Sequence, residues 1–109
     1  MIAEIGQHKP ELIALCQRYR VNRLDLFGSA ATGDFNPATS DYDFIATFSD
    51  ANLPGYARRY VEFAESLEGL FNRDVDILTE RSISNPFFRE SVNRNRITLY
   101  EDHSEKVVA

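Results

Sequence analysis

Asp41 and Asp43 stand two residues apart at the head of the β-rich run Tyr42-Asp43-Phe44-Ile45. Side chains alternate along an extended strand, so both carboxylates leave the same face. Two such groups repel and are costly to keep ionised unless a cation lies between them. Hard oxygen donors at that spacing suit Mg²⁺, which commonly takes one or two carboxylates together with phosphate oxygens of a substrate. Upstream, Gly28-Ser29 closes the run Leu24-Asp25-Leu26-Phe27. Glycine lets a ligand approach the backbone closely, and a serine at a helix start, with exposed N–H groups, suits a phosphate. A phosphate cradle and a cation-binding pair joined by one loop are what nucleotide chemistry requires.

Two-metal transfer needs a further carboxylate facing the first pair. Asp76, between Val75 and Ile77, is the candidate, because an acid among apolar strand residues is expected to be paired or metal-bound. Asp74 shares its face and competes, but its place at the strand start makes solvation easier. The phosphates of a nucleotide also want a cation, and Arg58, Arg59, Arg81 and Arg89 are the candidate donors.

Periodicity outlines the elements that must hold these residues. Positions 21–27 read as the first strand, with Leu24 and Leu26 on one face and Arg23, Asp25 and Phe27 on the other. Asp25 is expected at a strand edge or in a salt bridge. A short helix over 29–32 ends at Gly33, and 34–40 is loop. Positions 42–48 form the second strand, and 49–52 a turn. Positions 54–71 form the longest helix, carrying a core stripe of Tyr56, Tyr60, Phe63, Ala64, Leu67 and Phe71. A third strand over 74–78, a last helix over 85–93 and a closing strand over 97–100 follow. Before them all, 10–20 is the first helix, with Leu12, Ile13, Leu15, Cys16 and Tyr19 inward. Cys16 reads as core, His8 and His103 as surface residues, and 103–109 as a polar, flexible tail. The alternation predicts an α/β or α+β domain: a small mixed sheet with helices mainly on one face.

Gly28-Ser29 followed by Asp41-x-Asp43 resembles the signature of the DNA polymerase β-type nucleotidyltransferase superfamily. The fuller run LFGSAATGDFNPATSDYDFIATF is similar to the minimal nucleotidyltransferases, the antitoxin half of HEPN/MNT pairs. The likeness continues through Leu70-Phe71-Asn72-Arg73-Asp74-Val75-Asp76-Ile77-Leu78-Thr79, which resembles the family's third-carboxylate strand and aligns Asp76 with its acid. Asn85-Pro86-Phe87-Phe88-Arg89-Glu90-Ser91 and Ile97-Thr98-Leu99-Tyr100 resemble its last helix and strand. Eleven residues separate Ser29 from Asp41, one more than the family's commonest spacing, which lengthens a surface loop.

The resemblance implies the polymerase β-type fold and an ATP substrate whose phosphates lie along Gly28 and Ser29. It implies two Mg²⁺ ions on Asp41, Asp43 and Asp76, with AMP passing to a hydroxyl. The implied acceptor is a tyrosine of a cognate HEPN-type toxin, in a homo- or hetero-oligomer. A non-catalytic antitoxin that masks the toxin, or transfer to a small molecule, is the alternative. Larger relatives bind small acceptors with an added helical domain, for which this chain has no residues.

Composition bounds these readings. The 109 residues, 43% hydrophobic and 27% charged, are expected to form one domain over 1–109. A formal charge of −5 weighs against nucleic acid as the main partner. The lone Cys16 leaves no intrachain disulfide and suits a reducing cytoplasm. The N-terminus lacks a signal-peptide pattern, and no apolar run approaches the ~18 residues of a membrane span.

Overall fold

The computed structural model describes residues 3–33, 36, 41–50 and 52–102. The loop expected over 34–40 and Ala51 of the expected turn, apart from Asn36, lie outside the described residues, as do His103 and the rest of the tail. Five helices and four strands alternate along the described chain. They are α1 (Ala3–Gln7), α2 (Lys9–Arg18), β1 (Val21–Phe27), α3 (Ser29–Thr32), β2 (Tyr42–Phe48), α4 (Tyr56–Phe71), β3 (Val75–Thr79), α5 (Pro86–Asn95) and β4 (Ile97–Glu101). A 3-10 turn, Glu80–Ser82, joins β3 to the segment before α5. The boundaries fall within a few residues of those read from periodicity. The exception is α1, which is too short to carry a periodic signal.

The strands form one mixed sheet in the order β3-β2-β1-β4. β1 pairs antiparallel with both β2 and β4, while β2 and β3 run parallel across the α4 crossover. One face carries Leu24, Leu26, Tyr42, Phe44, Ala46 and Ile77, buried against α1, α2 and α4. α4 presents Phe63, Leu67 and Phe71 to it at four-residue spacing. Each such side chain, taken out of water, contributes about 1.5–3 kcal/mol. Asn72, in the left-handed conformation with φ 50°, ends that helix and turns the chain into β3.

α4 also covers the outer edge of β3. The Tyr60 hydroxyl donates to the Ile77 carbonyl, and the Glu68 carboxylate accepts from the Val75 N–H at 3.4 Å. These bonds occupy backbone groups that a further strand would otherwise pair with.

The opposite face is covered more thinly. Phe27, Ile45, Ile83 and Val92 form a second, smaller core with Leu78 against it. Here α5 lies on the face away from the other helices, so the sheet has helices mainly, but not wholly, on one side. Asn85 starts α5 by accepting from the Phe87 and Phe88 N–H groups, and Pro86 fits its first turn.

Candidate active site

The register of the sheet assembles the site. Phe27 of β1 faces Asp43 of β2, and Asp43 faces Asp76 of β3, so the three form one row across three strands on the thinly covered face. Tyr42 sets the direction of that row. Its ring is 1% exposed and lies edge-on to Phe71 at 5.0 Å, its hydroxyl donates to Glu4, and the Arg73 guanidinium sits 5.4 Å over the ring. With Tyr42 driven into the main core, strand alternation sends Asp43, and Asp41 at the threshold of β2, to the other face.

Asp43 is half-buried, while Asp41 and Asp76 are exposed. Burial pushes the Asp43 carboxyl up to about 6, aided by the charges of Asp76 and Asp41 and a hydrogen bond to Asp76. Asp74 does not contribute to that shift. It lies just before β3, where its backbone carbonyl accepts from the Tyr42 N–H at 3.4 Å.

Gly28 forms the floor beneath Asp43. Its φ of 72° and ψ of −153° belong to a region that other residues rarely enter. A Cβ built there would lie on Asp43 Oδ2 and 3.2 Å from its Cγ, so the carboxylate presses directly on the glycine. Ser29 follows as the first residue of α3, whose turn is closed by bonds from Ala31 and Thr32 to the Gly28 carbonyl and from Gly33 to that of Ser29.

Among the described residues, no group of three or more His, Cys, Asp or Glu side chains stands ready to hold a metal ion. What is assembled is the Asp43–Asp76 pair, with Asp41 two residues along the same strand face. That donor set fits Mg²⁺, which binds through one or two carboxylates plus substrate phosphates rather than in an all-protein cage.

The four arginines singled out from sequence are not brought to this row. Arg59 donates to the carbonyls of Tyr19, Ser49 and Asp50, where β1 begins and β2 ends. Five residues of strand separate Asp43 from that end, about 16 Å at ~3.3 Å per residue. Arg58 pairs with Glu62 on α4, and Arg81 lies exposed past the far end of β3. Arg89 bonds Glu80 and the Ile83 carbonyl, bracing the turn before α5.

Sequence reasoning left Asp25 between two roles, and the structure makes it the centre of an ion network. Asp25 is fully buried on the face of Phe27 and accepts from Arg23 at 3.1 Å and from Arg96 Nε at 2.8 Å. Arg96 also reaches Glu80, which Arg89 holds at 3.0 Å. Burial alone would raise the Glu80 carboxyl, but the hydrogen bonds and charges of Arg96 and Arg89 bring it below its ordinary value. The acid between Leu24 and Leu26 was a signal that a partner must exist. Arg96, 71 positions away, carried no mark in the sequence.

Residues 12–99 match the family described as nucleotidyltransferase domain. A chain of Methanocaldococcus jannaschii named as a candidate protein adenylyltransferase, MJ1379, is 35% identical over 83 residues, covering 76% of this chain and 81% of its own. A solved structure described as a candidate minimal nucleotidyltransferase superposes with a TM-score of 0.70 at 30% identity, over 85% of this chain and 90% of that one. The fold recurs, at 21% identity and a TM-score of 0.60, in a tri-AMPylated Shewanella oneidensis HEPN toxin complexed with its MNT antitoxin, covering 94% of this chain and 77% of that one. With its glycine floor and carboxylate row inside the matched span, this chain belongs to the nucleotidyltransferase domain family.

Proposed function

We propose that the protein transfers AMP from ATP to a hydroxyl of a protein acceptor, a tyrosine of a cognate HEPN-type toxin, and so acts as the antitoxin. The observation that carries this reading is the Asp43–Asp76 pair, with Asp43 seated on Gly28, on the thinly covered face of the sheet. The likeness to a candidate protein adenylyltransferase, and to a chain of a complex between a tri-AMPylated HEPN toxin and an MNT antitoxin, supports the choice of acceptor.

Asp41, Asp43 and Asp76 would hold Mg²⁺, as two ions, which when bound would neutralise triphosphate charge and polarise the reacting groups. Gly28 and Ser29 receive the outer phosphates, the glycine by making room for Asp43 beside them and the serine by its hydroxyl and N–H. The acceptor oxygen bonds to the α-phosphorus, the bond from that phosphorus to the bridging oxygen breaks, and pyrophosphate leaves. The hydroxyl proton passes to the exposed carboxylate of Asp76, ahead of Asp74, which stands outside the row. Positioning and charge account for the catalysis, without covalent work by the protein. Over its described residues no helix is long and apolar enough to cross a membrane. Burial pushes the lone thiol of Cys16 up to about 12, which makes it an inert core residue.

Incubation with a cognate HEPN-type toxin and α-labelled ATP should add one AMP, or a small multiple, to that toxin. The Asp41→Asn, Asp43→Asn double variant should fold but neither label nor neutralise it. Asp76→Asn should bind ATP yet fail in transfer, whereas Asp74→Asn should cost little. If the double variant neutralises the toxin as well as wild type and neither labels it, masking by binding replaces this reading.

A further inference from the structure

Two neighbouring aromatic rings of α5 stand in solvent, and one of them touches the first residue of the carboxylate row. Phe87 is 82% exposed and Phe88 43% exposed, the only aromatics among the exposed large apolar residues of the described chain. Phe88 rests edge-on against Phe27, with ring centroids 6.3 Å apart. Phe27 is the first member of the row Phe27–Asp43–Asp76 and the residue before Gly28. Strands lie about 4.8 Å apart, so the Phe27 backbone, whose ring carries Phe88, lies roughly one strand spacing from that of Asp43 and two from that of Asp76. The Asn85 side chain fixes the backbone beneath both rings by accepting from their N–H groups at 2.9 and 3.2 Å. Those two donors are therefore engaged and do not offer a phosphate site. What this corner presents is ring surface.

We propose that Phe88, flanked by Phe87, is the stacking platform for the base of the nucleotide bound at the Asp43–Asp76 row. This rests on the nucleotide reading of that row. A nucleotide whose outer phosphates lie on Gly28 and Ser29 carries its base beyond them by the α-phosphate and one sugar. An aromatic face at that distance recovers the stacking that the base loses with other bases. A phenyl ring offers no hydrogen-bond group, so the platform itself selects by ring area: purine nucleotides bind better than pyrimidine ones.

The test compares ATP with inorganic tripolyphosphate, each with Mn²⁺, on the full chain. Wild type should bind ATP more tightly than tripolyphosphate. Phe88→Leu, which keeps an apolar contact to Phe27, should weaken ATP about tenfold and leave tripolyphosphate unchanged, the usual scale of one base–aromatic stack. Phe87→Ala should show a smaller loss of the same kind. The chain contains no tryptophan, so Phe88→Trp supplies a unique fluorophore. ATP should quench it, tripolyphosphate should not, and ATP affinity should be at least that of wild type. The platform is overturned if Phe88→Leu binds ATP like wild type, or if the Trp signal responds equally to both probes. It is also overturned if wild type binds tripolyphosphate as tightly as ATP, which would leave the metal–phosphate reading standing. Loss confined to binding of the acceptor protein would overturn it as well and make the pair a protein-docking patch. A wild type that binds neither probe would remove the nucleotide reading itself.

Discussion

Gly28 and Asp43 act as one unit, because the carboxylate occupies the space in which any other residue at 28 would place its Cβ. Gly28→Ala meets two costs, a backbone conformation disfavoured by ~1–3 kcal/mol and the displacement of Asp43. The variant is expected to unfold at lower denaturant by about that amount and to lose its Mn²⁺/ATP thermal shift. The pH response of Asp43 follows from its raised carboxyl. Between the ordinary Asp value near 4 and about 6, the folded metal-free protein holds a proton that the unfolded chain has released. Metal-free stability should therefore fall as pH rises through that window, and Asp43→Asn should lack the fall. A cation needs the ionised form, so the thermal shift by Mn²⁺ should shrink as pH drops below about 6. Melting curves from pH 4 to 7, in chelator and in Mn²⁺, check both directions.

The elements on the site's face are joined by charge more than by apolar area. Asp25 on β1, Arg96 before β4, and Glu80 and Arg89 around the turn before α5 make one chain of ion pairs beneath a small core. A fully buried carboxylate is stabilising only while its partners remain, since removing one leaves the other charge desolvated. Asp25→Ala should cost about 3 kcal/mol in urea unfolding, at the low end for a buried pair because Arg96 keeps Glu80. Replacing both members, as Asp25→Leu with Arg96→Met, should recover much of that loss. At the other end of the sheet, Arg59 holds three carbonyls together. Its loss should lower the melting temperature without changing ATP affinity, which separates it from a phosphate ligand.

At the scale of the molecule, the acidic surface and the committed arginines point the same way. The chain carries −5 formal charge, and its exposed Asp41, Asp74 and Asp76 lie at the site end of β2 and β3. Arg20, Arg23, Arg58, Arg59, Arg89, Arg94 and Arg96 are engaged in ion pairs or carbonyl bonds within the chain. A basic acceptor surface would be steered to this end. Its association rate should drop as salt rises from 50 to 300 mM, with a much smaller change in dissociation. Stopped-flow binding of the proposed toxin acceptor across that range measures it.

The candidate site was legible in part because its pieces are local. Gly28-Ser29 and Asp41-x-Asp43 state their spacing outright, and a period of two is enough to place both acids on one face. The core stripe of α4 and the order of strands and helices followed from periodicity in the same way. Register was beyond that reach, because it depends on which strand lies beside which. Only the parallel pairing of β2 with β3 brings Asp76, rather than Asp74, opposite Asp43, and only the antiparallel pairing of β1 puts Phe27 in the same row. The arginines show the limit most plainly. Nothing local distinguishes a guanidinium that binds phosphate from one that holds carbonyls 40 residues away, as Arg59 does with Tyr19. Their roles are set by long-range packing, and so were decided by the tertiary structure alone.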